Sequence, residues 1–332
     1  MPTTLITGAA GFAGSHLLEL LAPQDGRLVA WRRPLAALGA KAPRAKAAPG
    51  TPAASWAEAL GARVEWQEVD LIDKGAVVRA LETVRPDVVY HCAGAAHVGR
   101  AWQSTEPTFA TNVRGTHHLI EGLRACGCTG ARVVIPGSSL VYAAADVPLT
   151  EDHPLLPSSP YALSKLAQEL VGVENTGGPM VLVARAFNHI GPRQDPFFAA
   201  AGFARRVADI EAGRWKPEMQ VGNLEARRDL TDVRDTVRAY RAIAERGRPG
   251  RAYNVCSGRA VAIREVLEML LARARVPISV VVDPTRYRPN DQPLVVGDPT
   301  RIRTELGWTA DIPLERTLDD LLEYWRGQAA QG

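Results

Sequence analysis

Tyr161 and Lys165 are the residues whose types and spacing point most directly to chemistry in this chain of 332 residues. Four positions separate them, and side chains at i and i+4 share one face of a helix. An ammonium group beside a phenol favours the phenolate, so we expect Lys165 to lower the pKa of Tyr161 and let it exchange a proton near neutral pH. Because this spacing is also common on ordinary amphipathic helices, the pair indicates catalysis only together with other motifs.

Glycines recur at every third position near the N-terminus, as Gly8, Gly11 and Gly14. Residues 3–7 predict a buried strand before this turn, and residues 15–21 predict a helix after it. Backbone N–H groups in such a turn approach a pyrophosphate at the positive end of the helix. The order of strand, glycine turn and helix therefore predicts a dinucleotide site rather than a purely structural turn.

Arg32 and Arg33 follow the next predicted strand, residues 27–31. A site that prefers an unphosphorylated ribose carries an acidic residue at this point. Two guanidinium groups favour a 2′-phosphate instead, through charge-assisted hydrogen bonds. The pair predicts NADP(H) in preference to NAD(H), and the alternative is a pair of solvated surface arginines.

Apolar strand-like runs alternate with helical stretches up to about residue 187, which is typical of a parallel sheet covered on both faces. We predict an α/β fold, with a Rossmann-type doubly wound parallel sheet and a smaller, discontinuous C-terminal α/β substrate lobe. Residues 1–188 and 227–258 are assigned to the first lobe, and residues 189–226 and 259–332 to the second. Residues 34–54, rich in Ala, Pro, Gly and Lys, predict a mobile surface loop.

Composition argues against several classes of protein. A net charge of +3 is too small to indicate a nucleic-acid partner. No apolar run reaches the roughly 18 residues of a membrane span, and no signal-like N-terminal segment is present, so we expect a cytoplasmic protein without a membrane partner. The four cysteines lack Cys-x-x-Cys spacing and no His-Glu-x-x-His occurs, so neither a disulfide framework nor a metal site is predicted.

The glycine spacing, taken with Tyr161 and Lys165, resembles the short-chain dehydrogenase/reductase superfamily in its extended form, which acts on nucleotide sugars. The resemblance spans nearly the whole chain. It implies that Ser138, in a Ser-Ser-x-x-Tyr motif, hydrogen-bonds the reacting oxygen, and that Asn112 supports the helix carrying the tyrosine. It implies a cofactor site formed by Gly8, Ala10, Gly11, Phe12, Ala13, Gly14, Arg32, Arg33, Asp70, Leu71, Ala93, Gly94, Ala95, Tyr161, Lys165 and His189.

Four motifs in the C-terminal half narrow the resemblance to the GDP-mannose branch, which holds GDP-mannose 4,6-dehydratases and the reductases that follow them. They are the runs 187–193, 221–229, 253–258 and 287–291. Arginine presents a planar fork to phosphate oxygens, so we expect Arg228 and Arg288 to hold the diphosphate. The predicted substrate site consists of Ser138, Ser139, Asn188, Val221, Arg228, Arg288 and Asp291.

Leu140 distinguishes the two activities of that branch. The resemblance places a glutamate here in the dehydratases, where it serves the elimination of water, and leucine cannot take a proton. A ketone reduction needs no such base. The sequence therefore predicts NADPH-dependent reduction of the C4 ketone of GDP-4-keto-6-deoxy-D-mannose to GDP-D-rhamnose, with Ser138, Tyr161 and Lys165 as catalytic residues.

Three alternatives stay open. A GDP-mannose 4,6-dehydratase is disfavoured by the leucine, and a nucleotide-sugar 4-epimerase, which usually prefers tightly held NAD, is disfavoured by the arginine pair. An NADP(H)-sensing regulator without turnover would tend to lose the tyrosine and lysine, and both are present. The resemblance also implies a homodimer formed through the helices predicted at 160–173 and 112–124.

Overall fold

The computed structural model describes residues 1–34, 61–287 and 292–331. Most of the segment predicted as a surface loop lies outside these residues, and so do Arg288 and Asp291. The roles predicted for those two side chains therefore stay predictions.

Strands occur along the whole described chain. In chain order they are β1 Thr3–Thr7, β2 Arg27–Arg32, β3 Val64–Glu68, β4 Val88–His91, β5 Arg132–Pro136, β6 Met180–Ala186, β7 Asn188–Ile190, β8 Glu218–Val221, β9 Arg227–Asp232, β10 Ala252–Val255, β11 Ala260–Ala262, β12 Ser279–Val282 and β13 Leu294–Val295.

Seven of the described strands form one fully parallel sheet, in the order β10-β6-β5-β4-β1-β2-β3. The chain winds outward in one direction from β1 and in the other from β4, and ligands of such sheets bind where these two directions meet. Strand β10 pairs with β6, as the sequence predicts for this run. The predicted Rossmann-type doubly wound sheet is confirmed.

Helices cover both faces of the large sheet and surround the small one. In chain order the described α-helices are α1 Phe12–Leu21, α2 Lys74–Val84, α3 Val98–Ala101, α4 Thr105–Phe109, α5 Gly115–Ala125, α6 Pro160–Val173, α7 Ala199–Glu211, α8 Val233–Arg246, α9 Ile263–Leu271, α10 Thr300–Leu306 and α11 Leu314–Gln331. None of these described helices is long and apolar enough to cross a bilayer. The cytoplasmic location stays a prediction.

Neighbouring residues of β1 show how the large sheet is buried on both faces. Ile6 belongs to the core cluster that includes Leu17 of α1 and Tyr240 of α8. Leu5 belongs to the opposite cluster, which includes Leu81 of α2 and residues of α5. Successive side chains of a strand point to opposite faces, so a strand buried on both sides is a continuous apolar run. That pattern is why the strands were readable in the sequence.

A smaller sheet is built around β9, which pairs with β7, β11 and β13. The predicted division assigns residues 227–258 to the first lobe. Strand β9, which begins this range, pairs within the small sheet, whereas helix α8 and strand β10, which follow, contribute to the core of the large sheet. The division into two lobes stays a prediction.

Gly8 and Gly177 form a matched pair for testing the glycine turn, because their φ angles are +65° and +66°. A Cβ on Gly8 would lie 2.5 Å from the backbone nitrogen of Ala93, whereas one on Gly177 would meet no described atom within 4 Å. We expect Gly177→Ala to lower the free energy of unfolding by about 1 kcal/mol and Gly8→Ala by about 3 kcal/mol, since the second adds a clash to the same strain. Urea unfolding measures both, and equal losses would contradict the close approach to Ala93.

Candidate active site

A cavity of about 540 Å³ opens at the carboxyl ends of β1, β4, β5 and β6. The structure brings thirteen of the predicted site residues together around it, among the residues that it describes. They are Gly11, Phe12, Ala13, Ala93, Gly94, Ala95, Ser138, Ser139, Tyr161, Lys165, Asn188, His189 and Arg228. Eight other described residues of the predicted site lie outside the cavity lining. They are Gly8, Ala10, Gly14, Arg32, Arg33, Asp70, Leu71 and Val221.

The glycine turn provides a backbone surface next to this cavity. A Cβ on Gly14 would lie 2.4 Å from the carbonyl oxygen of Gly8, so the turn closes tightly. Helix α1 begins after Gly11, and no side chain caps it. The first N–H groups of a helix have no intrahelical partner and carry a partial positive charge. The described residues therefore fit the pyrophosphate of a dinucleotide.

Arg32 and Arg33 stand at the end of β2, and about half of each side chain is exposed. The Arg32 Nη2 atom lies 3.0 Å from Glu68 Oε1, and Arg33 Nε lies 3.8 Å from Asp70 Oδ2. Exposed ion pairs contribute at most about 1 kcal/mol to stability. Each guanidinium is thus held only weakly by its carboxylate, and both could bind a phosphate group instead.

Tyr161 is positioned by the start of α6. Ser159 caps this helix, accepting from Ala162 N over 3.1 Å, and Pro160 occupies the first turn. A serine cap followed by proline fixes where a helix begins. Tyr161 is consequently held in the first turn, where it lines the cavity next to Ser138.

The predicted lowering of the Tyr161 pKa by Lys165 is wrong for this structure. Burial raises the pKa of Tyr161, because the phenolate loses its hydration, and a hydrogen bond with Ser138 opposes that rise. The Lys165 ammonium instead donates to the side chain of Gln168. Tyr161 is therefore a protonated phenol at neutral pH, with Ser138 as its hydrogen-bonding neighbour.

Lys165 is almost completely buried, at 8% exposure. Burial lowers its pKa to about 8, while Glu169 opposes this change. Burial also raises the pKa of the Cys92 thiol to about 12, so that group stays neutral. Lys165 is thus charged at neutral pH but close to its ionisation midpoint.

Asn112 lies in a π-helical turn, Ala110–Arg114, just before α5. Its Oδ1 accepts from Ala95 N at 2.7 Å, and its Nδ2 donates to Ser164 Oγ at 2.9 Å. Such π turns are frequent at functional sites. Asn112 therefore joins α6 to the turn after β4, which is the support that the family resemblance implied.

Arg228 reaches the cavity from β9, and the adjacent Asp229 holds that strand in place. Asp229 is fully buried and accepts hydrogen bonds from Ser257 N and Oγ, both at 2.7 Å, from Gly258 N at 2.9 Å and from Gly297 N at 3.2 Å. The Asp229 carboxylate thus joins three separate parts of the chain next to Arg228, the residue predicted to bind the diphosphate.

Val221 does not face the cavity in the way a binding side chain would. It is 2% exposed and belongs to the core of the small lobe, with Met219 and Leu270. A contact between Val221 and a ligand could therefore come only from its backbone.

Sequence reasoning missed one wall of the cavity, formed by residues after β4, after β7 and just before β13. Its described members include His97, Trp102, Gln194, Asp195, Phe198 and Gln292. His97 Nε2 lies 3.4 Å from Asp195 Oδ2, and its ring stacks on Phe198 with centroids 5.3 Å apart. Its Nδ1 is buried and has no hydrogen-bond partner among the described residues. The sequence did contain a signal for this wall, because residues 97–103, which follow the end of a predicted strand, include polar and aromatic side chains.

The arrangement suits proton transfer to an oxygen. A hydroxyl, a phenol and an ammonium group line one cavity, beside a backbone turn that fits a dinucleotide. Within the described part of the chain, no three His, Cys, Asp or Glu residues are placed to hold a metal ion.

Comparisons with known proteins agree with this geometry. GDP-6-deoxy-D-mannose reductase from Pseudomonas aeruginosa is 37% identical over 251 residues, which cover 74% of this chain and 82% of that protein. GDP-mannose 4,6-dehydratase from Vibrio cholerae serotype O1 is 26% identical over 286 residues and covers 76% of each chain.

A solved structure of RMD from Pseudomonas aeruginosa complexed with NADPH matches with a TM-score of 0.82 and 30% identity, over 98% of this chain and 99% of that one. A family model described as GDP-mannose 4,6 dehydratase matches residues 5–321. The family predicted from the motifs is confirmed. The chain belongs to the GDP-mannose 4,6 dehydratase family.

Proposed function

We propose that the protein is an NADPH-dependent oxidoreductase that reduces the C4 ketone of GDP-4-keto-6-deoxy-D-mannose to GDP-D-rhamnose. The observation that carries this proposal is the meeting of Ser138, Tyr161 and Lys165 around one cavity, with Leu140 beside them. The likeness to a GDP-6-deoxy-D-mannose reductase and to a structure with NADPH supports it.

Tyr161 has the protonation state that a reduction requires. When bound, the nicotinamide supplies the hydride, and the oxygen at C4 must then gain a proton. Since burial raises the pKa of Tyr161, its phenol carries that proton at neutral pH. The proton passes from Tyr161 Oη to the C4 oxygen, which leaves a phenolate that solvent reprotonates.

Ser138 and Lys165 assist this transfer in different ways. Ser138 Oγ accepts from Leu140 N at 3.2 Å, and its own hydrogen, which it shares with Tyr161 in this structure, can turn to the C4 oxygen when the sugar is bound. A donor aimed at the carbonyl oxygen stabilises the negative charge that develops there. The Lys165 ammonium, which lines the same cavity, holds the hydroxyls of the nicotinamide ribose.

Leu140 disfavours the dehydratase alternative. It lines the cavity with a side chain that can neither give nor take a proton. Asp195 is the carboxylate among the described cavity residues, and it faces His97 rather than standing free. The position from which the family resemblance expects an elimination base is therefore apolar.

Replacement of Tyr161 tests the reductase proposal. We expect Tyr161→Phe to lower kcat by about 10²- to 10⁴-fold, because the general acid is lost while the ring remains. NADPH oxidation is followed by absorbance, with the keto sugar generated from GDP-mannose by a separate dehydratase. The control is Tyr324→Phe in α11, away from the cavity.

Two outcomes would sink the proposal. Near wild-type turnover by a folded, NADPH-binding Tyr161→Phe protein would remove Tyr161 from the mechanism. Consumption of GDP-mannose by this protein alone, without NADPH oxidation, would establish the dehydratase alternative instead.

The arginine pair tests the cofactor preference. We expect Arg33→Ala to raise the KM for NADPH roughly 10-fold or more and to change the KM for NADH little, because only NADPH carries a 2′-phosphate. Arg27→Ala is the matched control, since Arg27 lies at the opposite end of β2 and pairs with Glu65. Equal changes in the KM values for NADPH and NADH would show that Arg33 does not recognise the 2′-phosphate.

We also propose that the protein is a homodimer formed through α5 and α6. Leu163 and Leu170 are 48% and 51% exposed and lie seven residues apart, on one face of α6. Leu163→Glu with Leu170→Glu is expected to give a monomer in sedimentation velocity, because charges replace apolar contacts. Leu156→Glu, outside that helix and also exposed, is the control. A wild-type monomer would refute the proposal.

A further inference from the structure

A chain of buried polar side chains connects Lys165 to the central strands of the large sheet. Lys165 Nζ donates to Gln168 Oε1, and Gln168 Nε2 donates to Thr116 Oγ1 of α5 over 2.9 Å. Thr116 Oγ1 lies 2.8 Å from His91 Nε2, and His91 Nδ1 lies 2.8 Å from Thr7 Oγ1. All five residues are buried. The chain thus spans α6, α5, β4 and β1.

Thr116 determines which atom donates at each step. Its hydroxyl donates to the carbonyl oxygen of Asn112 at 2.6 Å, so its oxygen can only accept from its other two neighbours. Gln168 must therefore turn its Nε2 toward Thr116, which leaves its Oε1 for Lys165. By the same reasoning His91 carries its proton on Nε2 and accepts at Nδ1.

Apart from Lys165 itself, the members of this chain carry no charge. Threonine and glutamine are neutral, and burial lowers the pKa of His91 to about 3, so its imidazole is neutral at physiological pH. The Oε1 atom of Gln168 is thus an uncharged acceptor for an ammonium group. Other titratable or charged groups near Lys165, among the described residues, include Cys92 after β4, Tyr161 and Glu169 on α6, and Tyr240 on α8. Arg185 on β6 pairs with Glu169 at 3.0 Å.

We propose that Gln168 is a positioning residue for Lys165, whose ammonium it holds at the cavity wall through an amide oxygen oriented by Thr116. The inference rests on the proposed role of Lys165 beside Tyr161. A neutral acceptor fixes the position of the ammonium but stabilises its charge less than a carboxylate would. Because Lys165 loses its proton as pH rises through its pKa of about 8, the acceptor at position 168 sets where activity falls on the alkaline side.

Two substitutions at this position have opposite expected effects. Gln168→Met keeps the length but removes the acceptor, so it lowers kcat roughly 10-fold and moves the alkaline limb of the pH profile to lower pH. Gln168→Glu adds a negative charge beside the ammonium and moves that limb to higher pH. The KM for the GDP-sugar stays constant in both. Shifts in the same direction would overturn the proposal, because lost packing alone would not depend on the charge.

A second measurement does not depend on activity. The reaction of Lys165 with trace acetic anhydride in cofactor-free protein, followed by peptide mass spectrometry across pH, reports the midpoint of its ionisation. We expect the midpoint to rise in the order Gln168→Met, wild type, Gln168→Glu. If the midpoints coincide, the positioning role is refuted. If they follow this order but the wild type does not reduce the keto sugar, the proposed function fails and the positioning role stands.

The Thr116 side chain gives an independent test should a Gln168 variant fail to fold in thermal unfolding. Thr116→Val removes the hydroxyl that orients the amide, and Thr116→Ser retains it. We expect the valine variant to shift the alkaline limb as Gln168→Met does, and the serine variant to recover most of the wild-type profile. Gln24→Met, at an exposed turn, controls for the exchange of amide for thioether. Equal shifts for the two Thr116 variants would refute the proposal.

Discussion

The need to satisfy polar groups buried near the carboxyl end of the parallel sheet is the constraint on which the rest of the structure depends. A sheet covered on both faces leaves little water at that edge, and an unpaired buried polar group costs about 1–3 kcal/mol. Asn112, Thr116 and Asp229 each meet this requirement with several hydrogen bonds. These bonds also fix the helices and strands that carry Tyr161, Lys165 and Arg228. Stability and placement of the site therefore have the same physical origin.

Burial also decides the chemistry of the site. It raises the pKa of Tyr161, which keeps the phenol protonated at neutral pH, and it lowers the pKa of Lys165 to about 8, which brings that ammonium close to its ionisation midpoint. The same burial keeps Cys92 and His91 neutral, so neither competes as an acid or base near neutral pH. The Tyr161 phenol thus carries a proton close to the Ser138 hydroxyl, with which it is hydrogen-bonded.

Local sequence patterns predicted much of the fold and of the candidate site. The features that the sequence did not predict depend on partners distant along the chain. The glycine turn, the apolar strands and the start of the tyrosine helix depend on neighbouring residues, so the sequence showed them directly. Local patterns could not show the pairing of strand β9, because its partners, β7, β11 and β13, are distant from one another in sequence. Helical spacing placed Tyr161 beside Lys165 but carried no information on burial, which reversed the expected pKa shift. The interactions of Gln168 and His97 depend on side chains remote in sequence, Thr116 for the first and Asp195 for the second.

Arg32 and Arg33 form ion pairs with Glu68 and Asp70 on the surface, at the carboxyl ends of β2 and β3. Since such pairs add little to stability, substitutions there leave the hydrogen-bonded interior intact. The choice of reductant is in this way separated from folding. One or two mutations at these positions could therefore change which nicotinamide cofactor a descendant of this chain uses. No compensating stabilisation elsewhere in the fold would be needed first.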